Sequence, residues 1–209
     1  RPLGVVAIVT PWNFPLAIPA WKIAPALICG NTIVFKPASS TPMTAVKLVE
    51  VFEEAGLPSG VINMITGPGS SVGNAIVESS DVKGISFTGS TEIGSGIYEK
   101  GARGLKKVQC EMGGKNAVIL MADADLDKAL EGVVQGAFGS TGQRCTATSR
   151  VIVEDSIYDE FMEQLVKRTG ELKVGDGFDT DVDVSPLASQ FQFDTVTDYI
   201  GLGVKEGAT

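Results

Sequence analysis

The sequence predicts an α/β chain: a parallel sheet with helices on both faces, followed by the first part of a second α/β unit. Three observations predict it. Short β-branched runs alternate with longer segments of helical period, an order that builds parallel sheets covered on both sides. Glycine or proline closes the helical segments, as Gly30, Gly56 and Pro58 do. The pair Gly113-Gly114 then interrupts the alternation before it resumes. That break divides the chain into residues 1–112 and residues 113–209.

Residues 5–9 read as a buried strand from their Val and Ile content. Residues 16–29 read as a helix in which Pro19 and Pro25 sit awkwardly and Gly30 is the stop. Residues 31–36 form the next strand. Thr41 is then placed to cap a helix with Pro42 at its first position and Ala45, Leu48, Val49 and Phe52 on one face. Strand 61–66, helix 70–79, strand 84–88, helix 91–100 and strand 107–111 complete the first unit. Such sheets bind ligands at the carboxyl ends of their strands. In the second unit, strand 117–121 leads to helix 125–138, whose early acids suit the helix dipole. Strand 150–153, helix 157–172 and a polar, acidic loop over 175–185 follow. The apolar face Leu126, Leu130 and Val134 of helix 125–138 is expected to lack full cover.

Bulk composition excludes several classes. The 209 residues are 44% hydrophobic and 20% charged, as in an ordinary globular protein. The net charge of −8 argues against a nucleic-acid surface. No apolar run is long enough for a membrane span, and no charged-then-apolar segment opens the chain. Cysteines at 29, 110 and 145 make no metal-binding spacing, and so sparse a set suits a reducing, cytoplasmic compartment. The absence of histidine removes Ser-His-Asp triads, Cys-His pairs and His-ligated metals; no metal site is expected.

The candidate chemistry is built on Cys145, in the run Phe138-Gly139-Ser140-Thr141-Gly142-Gln143-Arg144-Cys145-Thr146. Small neighbours leave room for a substrate carbonyl. With no imidazole, its base must be a carboxylate. Glu111, in Cys110-Glu111-Met112-Gly113-Gly114-Lys115-Asn116, is the candidate, since paired glycines let a ligand approach closely. A partly buried carboxylate of raised pKa would suit that task. Cys29 and Cys110 read as structural. Gly67-Pro68-Gly69-Ser70-Ser71-Val72-Gly73 and Gly89-Ser90-Thr91-Glu92-Ile93-Gly94 each open a helix after a strand and could present N–H groups to phosphate. The first is one residue off the usual Gly-x-Gly-x-x-Gly spacing. Taken alone, Asn13 reads as a cap of the helix that follows, and Lys22 as a solvated helix lysine.

Five boxes in order make the whole chain resemble the NAD(P)-dependent aldehyde dehydrogenases: Pro11-Trp12-Asn13-Phe14-Pro15, Phe35-Lys36-Pro37-Ala38-Ser39, Phe87-Thr88-Gly89-Ser90-Thr91-Glu92, the Glu111 box and the Cys145 box. Cys110 departs from the aliphatic or aromatic residue usual before that glutamate. The resemblance implies a Rossmann-like NAD(P)-binding domain over 1–112 and the beginning of a catalytic domain over 113–209. It implies Cys145 as nucleophile, Glu111 as the base that activates water for thioester hydrolysis, Asn13 as an oxyanion donor and Lys22 as an aid to proton relay. It implies a cofactor surface made by Trp12, Lys36, Ser39, Gly69, Gly73, Phe87, Gly89, Ser90, Ile93 and Met112, with Lys36 at the adenosine ribose and the Gly89 loop at the pyrophosphate. Ser39 stands where NAD-preferring relatives often carry a glutamate, which favours tolerance of NADP. The substrate expected is a small aldehyde, similar to those of bacterial semialdehyde dehydrogenases such as the one acting on 2,5-dioxovalerate. The full-length parent is expected to be a homodimer or homotetramer. A CoA-acylating enzyme is an alternative that Glu111 disfavours; a crystallin-like or other non-catalytic dinucleotide-binding member is another, disfavoured by Cys145, Glu111 and Asn13 together. The family's later Glu-x-Phe-Gly-Pro segment is absent, so the chain reads as an internal piece of a longer enzyme, inactive by itself.

Overall fold

The structure, a computed structural model, describes residues 1–208. The chain forms two compact units, one ending at Gly113 and one beginning at Gly114.

In the first unit, β1 (Val5–Val9), β2 (Thr32–Lys36), β3 (Ile62–Met64), β4 (Val82–Gly89) and β5 (Lys107–Met112) make a wholly parallel sheet in the order β3-β2-β1-β4-β5. Strand alternation sorts its side chains into two cores. Val6 and Ile8 pack with Ile33, Phe35, Ile23 of α1 (Ala17–Ile28), and Ala45 and Leu48 of α2 (Pro42–Glu54). Ala7 lies in the other core with Val82, Ile85, Ile76 and Val77 of α3 (Asn74–Glu78), and Ile97 of α4 (Thr91–Arg103). Helices therefore cover both faces, as the alternation predicts. From β1 the strand order runs to β2 on one side and to β4 on the other, which creates a switch point at the strands' carboxyl ends.

Local chemistry sets the boundaries. α1 tolerates Pro25 internally and ends where Gly30 takes φ +77, a left-handed conformation glycine adopts without steric cost. Asn31 then ties this turn to the chain's start. Its Oδ1 accepts from the N–H of Leu3 (2.7 Å) and of Gly4 (3.2 Å), and its Nδ2 donates to the Ala26 carbonyl (3.0 Å). Asn31→Ala is predicted to destabilise the unit by roughly 2–3 kcal/mol, because two backbone donors and a carbonyl lose partners near the core. The drop in urea midpoint measures it.

Two expectations for this unit need correction. Thr41 occupies the cap position of α2 but makes no cap bond; its backbone, at φ −132 and ψ 46, lies outside the extended region usual for a cap. The helix expected over 70–79 is a turn of π-helix, Gly69–Gly73, followed by the short α3. Gly67 forces that entry: it takes φ +145, and a Cβ there would lie 2.5 Å from the Val72 side chain.

The second unit pairs β6 (Asn116–Leu120) in parallel with β7 (Thr148–Val153). Leu120, Val133 of α5 (Leu126–Phe138) and Phe161 of α6 (Tyr158–Gly170) form its core, joined by Val118, Leu126, Leu130, Val151 and Val153. Asp125 caps α5 by accepting from the Lys128 N–H at 3.2 Å. Arg168 of α6 reaches Glu131 of α5 with two nitrogens, at 2.8 and 3.3 Å. The Leu126-Leu130-Val134 face is covered in part: Val134 is buried, while both leucines are only half-buried, against this core. The exposed apolar residues are elsewhere, at Ile119 and Ile152, which are register partners on the other face of the strand pair, and along α7 (Gln190–Lys205). That last helix is unanticipated. Ser189 caps it, and it buries none of its residues.

Candidate active site

A cavity of about 450 Å³ opens at the carboxyl end of the first unit's sheet. Val9, Lys36 and Phe87 bring it the ends of β1, β2 and β4, while Gly69, Ser70 and Gly73 bring the π-turn. Ile93, Gly96, Ile97 and Lys100 add one face of α4. Five expected cofactor residues therefore meet there: Lys36, Gly69, Gly73, Phe87 and Ile93. Lys36 is only 5% exposed, and burial holds its ammonium below the usual lysine range. Its Nζ donates to the Pro37 carbonyl at 3.3 Å, which leaves donors for a ligand oxygen.

The remaining expected positions lie around or away from this lining. Ser90 caps α4, its hydroxyl accepting from the Ile93 N–H at 3.4 Å. Gly89 closes β4 where a Cβ would meet the Phe87 ring at 2.5 Å. Ser39 is exposed, and its hydroxyl donates to the Gly67 carbonyl at 3.2 Å, beside the glycine loop. Trp12 is half-buried in the turn before α1. Met112 lines a second, apolar cavity with Gly94, Tyr98 and Cys110 instead. Asn74 and Lys100 were not anticipated at the first cavity; they bond each other at 2.9 Å. The positions 93, 96, 97 and 100 share the helical spacing that could have revealed this face.

Glu111 sits near the end of β5 and is exposed, against the expectation of partial burial. Its Oε1 accepts from Gln109 Nε2 at 2.8 Å. Lys22 projects from α1, donating to Ser86 Oγ (2.9 Å), the Phe87 carbonyl (3.3 Å) and Gln109 Oε1 (3.4 Å). Burial lowers its pKa, opposed by the charges of Glu111 and Cys110. Lys22 is therefore not a solvated helix lysine. Asn13 is half-buried in the same turn as Trp12, and α1 has Leu16 at its cap position with no side-chain cap bond. Cys110 bonds the Gly94 carbonyl through its thiol at 3.6 Å, and burial pushes the thiol up, as for a structural cysteine.

In the second unit, Cys145 is exposed on a turn just after Gly139–Gly142. Three successive residues there are left-handed: Ser140 (φ 54), Thr141 (φ 58) and Gly142 (φ 68). A β-branched residue at positive φ is rare and costs about 1–3 kcal/mol. Bonds from outside the turn hold it. Thr141 Oγ1 donates to the Ser185 carbonyl (2.7 Å), and Gln143 Oε1 accepts from the Ala188 N–H (3.1 Å). Asn116 Nδ2 donates to the carbonyl of Cys145 itself (2.8 Å). Asn116 thus fixes the backbone that carries the thiol, a task the spacing alone did not reveal. Among the described residues, no group of three or more Cys, Asp or Glu is placed to hold a metal ion, and no helix is long and apolar enough to cross a membrane.

Comparison with known proteins places this geometry. Residues 1–209 match the aldehyde dehydrogenase family. The chain is 53% identical to the alpha-ketoglutaric semialdehyde dehydrogenase of Bacillus subtilis, over 100% of this chain and 43% of that protein. It is 49% identical to the 2,5-dioxopentanoate dehydrogenase of Saccharolobus solfataricus, over 100% of this chain and 44% of that one. The betaine aldehyde dehydrogenase of Staphylococcus aureus, solved in complex with NAD+, superposes with a TM-score of 0.98 at 40% identity, over 100% of this chain and 41% of its own. The chain therefore spans somewhat over two fifths of the length of the curated relatives it matches.

Proposed function

The chain belongs to the aldehyde dehydrogenase family, and from that premise we propose that the whole protein oxidises a small semialdehyde to its acid with NAD or NADP. The cavity at the carboxyl end of the parallel sheet carries this reading. Its volume, the buried Lys36 and the N–H groups of the glycine-rich π-turn fit a dinucleotide's phosphates and ribose. When bound, the nicotinamide cofactor supplies the acceptor for hydride. The first unit is the cofactor-binding domain in this proposal, and the second begins the catalytic domain. The relatives named for 2-oxoglutarate semialdehyde support that substrate class.

The chain's own residues do the rest. Cys145 adds its sulfur to the aldehyde carbon, and the Asn13 amide with the Cys145 N–H stabilises the oxyanion that forms. After oxidation the acyl group rests on Cys145 as a thioester. Glu111 removes a proton from water, the water oxygen attacks the thioester, and the acid leaves as the thiolate is restored. Lys22 steadies this carboxylate's surroundings. A CoA-acylating enzyme would need no such base. Assembly as a homodimer or homotetramer in the cytoplasm belongs to the same proposal. Assaying the whole protein with a panel of aldehydes and both cofactors tests it; no oxidation of any semialdehyde would refute the substrate class.

Cofactor choice follows from Ser39. Replacing it with glutamate puts a carboxylate beside the glycine loop, where it would face a 2′-phosphate. Ser39→Glu should weaken NADP relative to NAD by ~10-fold or more, read from the ratio of kcat/KM values. Equal effects on both cofactors would remove position 39 from the ribose site.

A further inference from the structure

We propose that Gln109 is a positioning residue that couples Lys22 to Glu111 and orients that carboxylate for water activation. The proposal rests on the reading of Glu111 as deacylation base. Gln109 and Glu111 are two apart on β5, so their side chains share a face of the sheet. Ser86 is the register partner of Gln109 on β4, and Lys22 approaches that face from α1. The result is a continuous chain of bonds. Lys22 Nζ donates to Ser86 Oγ at 2.9 Å and to Gln109 Oε1 at 3.4 Å. Ser86 Oγ donates to the same Oε1 at 2.7 Å. Gln109 Nε2 donates to Glu111 Oε1 at 2.8 Å.

The amide can sit only one way round. An ammonium has no acceptor and a carboxylate no donor, so the amide oxygen must face Lys22 and the amide nitrogen Glu111. Its dipole then lies between cation and anion in the favourable sense. A donated hydrogen bond orients the carboxylate that takes a proton from water. A direct Lys22–Glu111 ion pair would occupy the carboxylate more tightly; an interposed amide leaves its second oxygen open. Other titratable groups near this face are few. Lys22 comes from α1, and Lys107 lies on β5. Cys110 points to the opposite face of β5, where it meets α4; there Glu99 is paired with Arg103 at 2.6 Å and Lys100 with Glu78 at 2.9 Å, while Glu92 lines the cofactor cavity.

The test uses the whole protein with Gln109→Leu, Gln109→Glu, Lys22→Met and the double variant Gln109→Leu/Lys22→Met. Stopped-flow separates the burst of reduced cofactor from thioester hydrolysis. Gln109→Leu should leave the burst rate within about twofold. It should slow thioester hydrolysis about three- to tenfold, because the carboxylate loses the donor that orients it. Gln109→Glu should slow it further, because two adjacent carboxylates repel and no donor remains. If the amide carries Lys22's influence, the double variant slows hydrolysis no more than the larger single change. Unchanged hydrolysis in Gln109→Leu and Gln109→Glu, or additive losses in the double variant, overturns the proposal. Failure of the underlying reading looks different: Glu111→Gln would then deacylate at the parental rate.

Discussion

Cys145→Ala in the whole protein should lower aldehyde oxidation by about four orders of magnitude or more, while both cofactors bind with affinities changed by about twofold at most. The asymmetry follows from where the residues lie. The cavity that fits the dinucleotide is built from the first unit, by Lys36, the Gly69–Gly73 turn and α4. Cys145 belongs to the second. Its loss removes the sulfur that forms the thioester, and Cys145 is not among the residues of that lining. Alanine is also compatible with the turn. The left-handed residues are Ser140, Thr141 and Gly142, and Asn116 holds position 145 through its backbone carbonyl, which alanine retains. Fluorescence titration with each cofactor and steady-state assay of the same preparation provide the two readouts. Turnover near the parental rate would end the covalent mechanism. Lost cofactor binding would mean that the second unit helps to build the dinucleotide site.

The fold was largely legible because alternation is a strong signal when both faces of a sheet are covered. Val6 and Ile8 pointing one way and Ala7 the other is what a β-branched run between helical segments requires. The helices that were misread are those whose stability comes from something other than an apolar stripe. The segment over 70–79 begins as a π-turn because Gly67 and Val72 interlock, a contact that no periodicity encodes. α7 buries none of its own residues and carries Thr195, Val196, Thr197, Gly201 and Gly203, all weak helix formers. Its local signals are the Ser189 cap and Lys205 in the last turn. The candidate site divides the same way. Cys145 and Glu111 stood out because their boxes resemble the family's in order, and the missing histidine left a carboxylate as the base. Gln109 and Asn116 did not, since their importance lies in whom they bond across strands and turns. Thr41 shows the converse error: a capping residue in the right place, with backbone angles that do not allow the cap.

Glu111→Gln should produce a burst of reduced cofactor of about one equivalent per site, followed by a steady state slower by roughly 10²–10⁴-fold, the range that general-base catalysis contributes. Glutamine keeps the shape of the side chain and can still accept from Gln109 Nε2 through its amide oxygen, so the bond chain from Lys22 survives. What it loses is basicity. Thiol addition and oxidation can still proceed once, because forming the thioester consumes no water. Hydrolysis cannot, because water attacking a thioester must give up a proton as the new bond forms. The burst should therefore persist while the steady rate collapses, and the difference should narrow at high pH as hydroxide replaces the missing base. A small thiol or amine added as acyl acceptor should restore part of the turnover, since it does not depend on water being activated. If the variant shows no burst and a slow first turnover instead, Glu111 acts before the thioester forms, as the base for Cys145 itself. If it turns over at the parental rate with water as acceptor, deacylation uses another base, and the chain of bonds from Lys22 through Gln109 has a purpose other than catalysis.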